Sequence, residues 1–246
     1  MAEAEPRPTL NLALLGYGKM GKAVAQLAPA RGFEVRAILT AESNRGGAGI
    51  IGGNFRGIDV CVDFTAPNAV VENIRQVAGL GCNMVVGTSG WNSHLDEVRA
   101  IVERAGTGLV YASNFSIGAQ LFFRAAEAAS RVFAKFPMYE PYITETHHRS
   151  KVDAPSGTAV ELKRRIQPSF DERDVAVGSI RAGYFPGTHE LGFDSEVDTI
   201  LLRHTARGRA GFAEGALYAA RWIAGKKGLF TFADLFASKT KEESSS

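Results

Sequence analysis

Between Glu145 and Ala159 the chain sets two imidazoles, His147 and His148, and one ammonium, Lys151, within five positions. An Asp153-Ala154-Pro155-Ser156-Gly157-Thr158-Ala159 turn follows at once. Imidazoles exchange protons near neutral pH. Met138–Thr146 reads as extended, because Tyr139, Tyr142, Ile143 and Thr144 favour strands and two prolines discourage a helix. From Ala159 to Arg164 the pattern is helical, with Ser156 as the expected cap. Unpaired N–H groups at a helix start bind anions, and Gly157 lets an anion come close to the backbone. Thr158 adds a hydroxyl donor and Lys151 a full charge. The chemistry expected is protonation of a small carboxylate-bearing substrate. The bland alternative is a polar strand-to-helix loop with solvated charges.

A second cluster is Gly16-Tyr17-Gly18-Lys19-Met20-Gly21, which lies between an apolar run, Leu10–Leu15, and a helical run, Lys22–Ala30. In a strand–turn–helix context the first glycine makes the turn and the second admits a pyrophosphate. The third lets the helix pack on the sheet, and the helix start carries the phosphate charge. Phe33–Leu39 reads as the second strand. At its end, where an acidic residue would grip the ribose of NAD, stands Thr40, followed by Ala41-Glu42-Ser43-Asn44-Arg45. A missing carboxylate removes a repulsion against a 2′-phosphate, and Ser43, Asn44 or Arg45 could meet one. NADPH is therefore expected to serve at least as well as NADH.

The elements needed to position these groups follow from hydrophobic periodicity. Gly46–Gly57 is glycine-rich and reads as a loop. Ile58–Phe64, Asn83–Val86 and Gly108–Ala112 read as buried strands. Helices are expected from Pro67, with Val70, Val71 and Ile74 inward, and over Asp96–Ala105. The result is a Rossmann-type α/β fold with a doubly wound parallel sheet. Thr65 and the Gly87-Thr88-Ser89 and Ala112-Ser113-Asn114-Phe115 turns fall at strand carboxyl ends, where such sheets bind ligands. Phe64 reads as a possible core residue. A long helix, Ser116–Phe136, is expected to lead into a second α+β domain with strands Val175–Arg181, Thr188–Phe193 and Val197–His204. An amphipathic helix, Arg207–Ala224, and a short closing helix, Thr231–Phe236, come last, before a polar Lys239–Ser246 expected to be disordered.

Composition excludes several classes. The chain has 246 residues, 45% of them hydrophobic and 22% charged, with a formal charge of +2. That suits one large or two small globular domains and gives no basis for nucleic-acid binding. No run of about 18 apolar residues is present, so no membrane span is expected. Met1–Leu10 reads as neither signal nor transit peptide. Cys61 and Cys82 sit in apolar runs and read as buried small hydrophobes, as in a reducing cytoplasm. His189 and His204 read as structural or surface residues. No cluster has metal-ligand spacing, so no metal is expected.

Glu-x-His-His-x-x-Lys-x-Asp-Ala-Pro-Ser-Gly-Thr-Ala at 145–159 resembles the signature of the 4-hydroxy-tetrahydrodipicolinate (dihydrodipicolinate) reductases. The likeness extends to Gly16–Gly21, Asp63-Phe64-Thr65, Gly87–Gly90, Asn114-Phe115-Ser116, Gly211–Ala216 and Gly228-Leu229-Phe230. It implies hydride transfer from NADPH or NADH to a ring dicarboxylate in the diaminopimelate–lysine pathway. By the same resemblance Lys151 matches the proton donor, His147 the acid/base histidine, and His148, Gly157 and Thr158 the substrate-carboxylate contacts. Gly16, Tyr17, Gly18, Lys19, Met20, Gly21 and Thr40 match cofactor contacts, and the Gly87–Ser89 and Ala112–Phe115 turns the nicotinamide half of that site. Many members carry Glu where this chain has Thr40. Arg149 reads as a solvated or supporting charge, Asp153 as an acceptor fixing the turn or pairing with Lys151, and Glu145 as ambiguous. The resemblance further implies a discontinuous cofactor domain, 1–116 and 208–246, a substrate and assembly domain, 117–207, with an open mixed sheet, and a homotetramer. The competing readings are a semialdehyde-type dehydrogenase with a cysteine nucleophile, a non-catalytic nicotinamide-binding sensor, and a reductase of another small carboxylic acid.

Overall fold

The computed structural model describes residues 8–237. The expectations for the first seven residues and for Lys239–Ser246 lie outside that range. The chain forms two compact units, one of described residues up to Ser116 and from Phe212 onward, the other Ile117–Gly211.

The first unit is built on six parallel strands. In chain order these are β1 (Leu10–Leu15), β2 (Phe33–Leu39), β3 (Val60–Asp63), β4 (Asn83–Val86), β5 (Gly108–Tyr111) and, after the second unit, β10 (Gly228–Thr231). Their order across the sheet is β10-β5-β4-β3-β1-β2. Central strands of a parallel sheet are covered on both faces, so they read as unbroken apolar runs. β3 is buried at every position, and β2, at the edge, alternates. The helices α1 (Lys19–Leu27), α3 (Pro67–Gly79), α4 (Leu95–Ala105) and α7 (Ala210–Ile223) connect or flank these strands. Val70, Ile74 and Val77 of α3 and Val98 and Val102 of α4 bury against Cys61, Met84 and Val86 of the sheet. Pro67 opens α3 at a position that needs no N–H bond.

Two local readings are corrected. Gly46–Gly57 is not an open loop: Arg45–Gly47 forms a 3-10 turn and Gly52–Phe55 a short helix, α2. Ile50 and Phe55 are buried there, and the Asn44 and Asn54 side chains bond the Gly49 backbone, so two anchors order a glycine-rich segment. At the other end Gly228–Thr231 is a strand paired with β5, and the closing helix shrinks to α8 (Asp234–Ala237). Asp234 accepts from the Thr231 N–H and hydroxyl at 2.7 and 2.8 Å, which ends the strand and starts the helix.

The second unit holds α5 (Ile117–Phe133), β6 (Glu140–His147), α6 (Gly157–Ile166), β7 (Ala176–Arg181), β8 (Thr188–Asp194) and β9 (Thr199–Thr205). Its mixed sheet runs β7-β6-β8-β9, with β6 parallel to β7 and antiparallel to β8. Phe122, Phe123 and Ala126 of α5 and Ala159, Leu162 and Ile166 of α6 cover one face, against Ile143, Leu191 and Phe193. Ser156 caps α6 by accepting the Ala159 N–H.

Gly215 of α7 packs against the Phe115 carbonyl, and an added methyl would collide with that backbone oxygen. A helical Gly→Ala change gains about 0.5–1 kcal/mol of propensity. Displacing packed backbone costs more, so Gly215→Ala is expected to lose about 1–2 kcal/mol net in urea unfolding. An unchanged midpoint would show that the approach is looser than described.

Candidate active site

Each unit carries part of the chemistry. In the first, Gly16 has φ +85° and lies against the Phe64 carbonyl, so no side chain fits there. A methyl on Gly21 would strike the Gly16 carbonyl, which is the close helix–strand approach expected of the third glycine. Gly18 has no protein atom within 4 Å of where its Cβ would be. It is also the N-cap of α1, and no side chain caps that helix. The first-turn N–H groups lack intrahelical partners and suit an anionic group. The cradle fits a dinucleotide's pyrophosphate.

Two cavities flank this turn. One, of about 740 Å³, runs from Gly16, Tyr17 and Gly18 past Thr40, Asn44 and Arg45 to Thr65 and Asn73. The other, of about 400 Å³, joins Gly18, Lys19 and Met20 to Gly87, Thr88 and Ser89. Phe64 lines both, so it is not a plain core residue. Phe115 is buried, its ring packed near Phe64 and Phe232, which leaves only its main chain for any cofactor contact. Thr40 and Ser43 bond one another: the Thr40 N–H reaches Ser43 Oγ at 2.9 Å, and the Ser43 N–H reaches Thr40 Oγ1 at 3.2 Å. Asn44 is held by Gly49 and Asn73.

Asp63, whose role sequence reading left unassigned, ties the turns together. It is fully buried at the end of β3. It accepts from the Thr65 N–H at 2.9 Å, the Thr65 hydroxyl at 2.7 Å, the Thr88 hydroxyl at 2.9 Å and Asn73 Nδ2 at 2.9 Å. Burial pushes its carboxyl up, and these donors oppose the rise.

In the second unit, alternation along β6 turns Glu145 and His147 to the helix-covered face. Register places Arg181 of β7 beside His147, and His189 of β8 beside Glu145. Glu145 is 1% exposed. It accepts from Arg181 at 2.6 Å and from the Ser156 N–H at 3.2 Å, and it bonds His147 Nδ1. Burial raises its carboxyl, but hydrogen bonds from Arg181, Ser179, His147 and Ser156 win and hold it down at about 2. A carboxylate that stays ionised can only accept, so His147 Nδ1 carries the hydrogen and Nε2 of the neutral ring is the acceptor. Burial lowers the His147 pKa, Glu145 opposes that, and Lys151 and Arg181 add to it.

Lys151 Nζ pairs with Asp153 at 2.7 Å, and the Asp153 carbonyl accepts from Arg181 at 2.5 Å. His148 Nδ1 lies 2.9 Å from Ser150 Oγ. His189 is buried, with its Nε2 3.0 Å from the capping Ser156 hydroxyl and its ring 5.1 Å from that of His147. Burial and the neighbouring His147 bring its pKa down to about 4. His204 stacks on Phe122. Glu145, His147 and His189 present ligand atoms within 4.8 Å of one another, a grouping that linear spacing does not reveal. The guanidinium on Glu145 opposes any cation there, so no metal role is assigned. Cys61 and Cys82 are free and buried, and burial pushes both thiols up, Cys82 to about 12. Neither is a thiolate nucleophile at neutral pH.

Residues 10–115 match the family model for the dihydrodipicolinate reductase N-terminus, and residues 118–236 match the model for its C-terminus. The 4-hydroxy-tetrahydrodipicolinate reductase of Christiangramia forsetii is 32% identical over 94% of this chain and its own full length. That of Chromobacterium violaceum is 36% identical over 73% of each chain. Among solved structures, a dipicolinate-bound dihydrodipicolinate reductase from Paenisporosarcina sp. TG-14 aligns with a TM-score of 0.75 at 23% identity, over 91% of this chain and 97% of its own. A probable dehydrogenase from Thermotoga maritima aligns at TM-score 0.60 and 9% identity, over 92% of each chain, which is likeness of fold.

Asp63→Asn keeps the shape of the buried carboxylate but puts an NH₂ where acceptors are needed. A titration of NADPH fluorescence is expected to show about tenfold weaker binding, the loss of one charged acceptor among several donors. Wild-type affinity would show that Asp63 does not order the cofactor turns.

Proposed function

The chain belongs to the dihydrodipicolinate reductase family, and from that premise we propose how its own residues perform the reaction. It is an NAD(P)H-dependent 4-hydroxy-tetrahydrodipicolinate reductase of the lysine pathway. The observation that supports the residue assignment is the convergence of His147, Lys151 and the capped start of α6 in one unit. When bound, the nicotinamide cofactor supplies a hydride to the substrate's conjugated ring. The Gly16–Gly21 turn, with Tyr17, Lys19 and Met20, would hold the pyrophosphate, and the Gly87–Ser89 and Ala112–Phe115 turns would hold the nicotinamide half. His148, Gly157 and Thr158 grip substrate carboxylates through charge-assisted bonds and N–H groups at the start of α6. Dipicolinate, the ligand named for the Paenisporosarcina structure, is itself a ring dicarboxylate.

Reduction adds a hydride and a proton to the ring, and the hydroxylated substrate also loses water. Lys151 delivers the proton where negative charge develops. His147, neutral with Nδ1–H on Glu145, presents Nε2 to accept or relay a proton. For the cofactor, Thr40 adds no negative charge at the ribose, Ser43 is engaged by Thr40, and Asn44 by Gly49 and by Asn73 of α3. Arg45, which lines the larger cavity, is the residue that favours a 2′-phosphate.

Absorbance is followed with substrate generated from pyruvate and aspartate semialdehyde by a separate synthase. Rapid substrate-dependent oxidation is expected, with NADPH at least as effective as NADH, and Arg45→Ala should narrow that ratio. Lys151→Ala should lose about 10²–10⁴-fold in kcat while NADPH binding survives. No oxidation by a protein that binds the cofactor would move the assignment to a sensor or to a reductase of another acid. A large NADH preference would overturn the reading of Thr40.

The working form we propose is a cytoplasmic homotetramer. Among the described residues no helix is long and apolar enough to cross a membrane, and free buried cysteines suit a reducing compartment. Ile180 and Leu201 are about half exposed on β7 and β9, which supports the mixed sheet as the assembly surface. Light scattering should give the mass of four chains, and a monomer at micromolar concentration would contradict it.

A further inference from the structure

Arg181 reaches the two segments that carry the proton carriers. Its guanidinium donates to the buried Glu145 carboxylate at 2.6 Å and to the Asp153 carbonyl at 2.5 Å. Glu145 in turn bonds His147 Nδ1. Asp153 pairs through its carboxylate with Lys151 Nζ at 2.7 Å. Glu145 also accepts the Ser156 N–H, which ties in the start of α6. The 151–155 segment has no regular secondary structure, and Val152, Asp153, Ala154 and Pro155 are exposed. Arg181 therefore links a rigid strand to a loop that has few other anchors.

We propose that the Arg181–Glu145 pair is the positioning device of the reaction, holding His147 in one tautomer and orientation while keeping the Lys151 loop in register with it. This rests on the assignment of His147 and Lys151 as the proton carriers. Neither Arg181 nor Glu145 transfers a proton itself. Glu145 holds the Nδ1 hydrogen of His147, so Nε2 stays on the working side of the ring. Gly187 leaves room there: a Cβ on it would sit 2.9 Å from Nε2. One guanidinium nitrogen, Nη2, donates to both acceptors, which lie on different segments, while Nη1 donates to the Ile180 carbonyl of β7 itself.

The groups facing His147 are Glu145 on its own strand, Lys151 on the loop, Arg181 on β7 and His189 on β8. Of these only Glu145 is negative. Removing its charge leaves the imidazole among cations and a buried neighbour, and the His147 pKa must fall further.

Two variants test this, with His147→Ala and Lys151→Ala measured beside them. In Arg181→Ala, kcat should fall about 100-fold, the scale of a misplacement of about 1 Å, with the NADPH dissociation constant unchanged. Millimolar guanidinium should restore part of that loss, and sodium chloride at equal ionic strength should not. In Glu145→Gln, whichever limb of the kcat–pH profile His147 sets should move to lower pH by about one unit. A kcat for Arg181→Ala within twofold of wild type overturns the proposal. So does a loss that guanidinium does not restore together with an unmoved limb in Glu145→Gln, the pattern of a merely structural pair. If Arg181→Ala does not fold, the Glu145→Gln profile decides alone. If His147→Ala and Lys151→Ala keep wild-type turnover, the assignment of the proton carriers fails. If they lose it and the pair's variants do not, only the positioning role fails.

Discussion

A carboxylate taken out of water must be matched by donors or it takes up a proton. Glu145 is matched by a guanidinium, a backbone N–H and an imidazole N–H, and stays ionised. Each donor comes from a different piece of the second unit: β7, the start of α6, and β6 itself. With Ser179 of β7 adding a further bond, these donors couple strand register, the loop before α6 and the tautomer of His147 through one charge. His189 completes the arrangement from β8 by holding the hydroxyl that caps α6.

The first unit uses the same device at its own site. Asp63 closes β3 and gathers donors from its own Thr65 turn, from the turn after β4 and from α3. Asn73 extends that network to Asn44, in the loop that follows β2. Parallel topology puts all these loops at strand carboxyl ends, where hydrogen-bonded ladders stop and polar side chains find partners. The two buried acids differ in one respect. Glu145 meets a full positive charge and is held low, whereas Asp63 meets only neutral donors and is raised on balance.

What was legible in the sequence was what depends on neighbours in the chain. The Gly16–Gly21 turn, the buried strands and the His147–Thr158 stretch each declare themselves by local spacing. β10 did not, because four residues of Gly-Leu-Phe-Thr, all half-buried, show no alternation and become a strand only by pairing with β5. The 46–57 segment hid its order because its glycines outnumber its anchors, Ile50 and Phe55. His189, read as structural or surface, is buried against the capping Ser156, whereas Arg181 and Asp63 were missed for another reason. Arg181 lies 36 residues from Glu145 in sequence, and only the β6–β7 register makes them partners. Glu145 was the intermediate case: period-two alternation already set it on the face of His147, but no local feature named its donors.

The proposed division of labour between His147 and Lys151 agrees with these constraints. His147 has its pKa lowered by burial and by two cations, so at neutral pH its ring is uncharged. An uncharged imidazole whose Nδ1–H is committed to Glu145 offers one function, acceptance at Nε2. On the proposed assignment, donation falls to Lys151, the other proton carrier in this stretch. The Lys151–Asp153 pair is partly solvated, and such pairs are weak. An incoming substrate carboxylate can therefore compete with Asp153 for the ammonium. The Arg181 contact to Asp153 is to its backbone carbonyl, so that exchange can occur without loosening the loop that holds Lys151 in place.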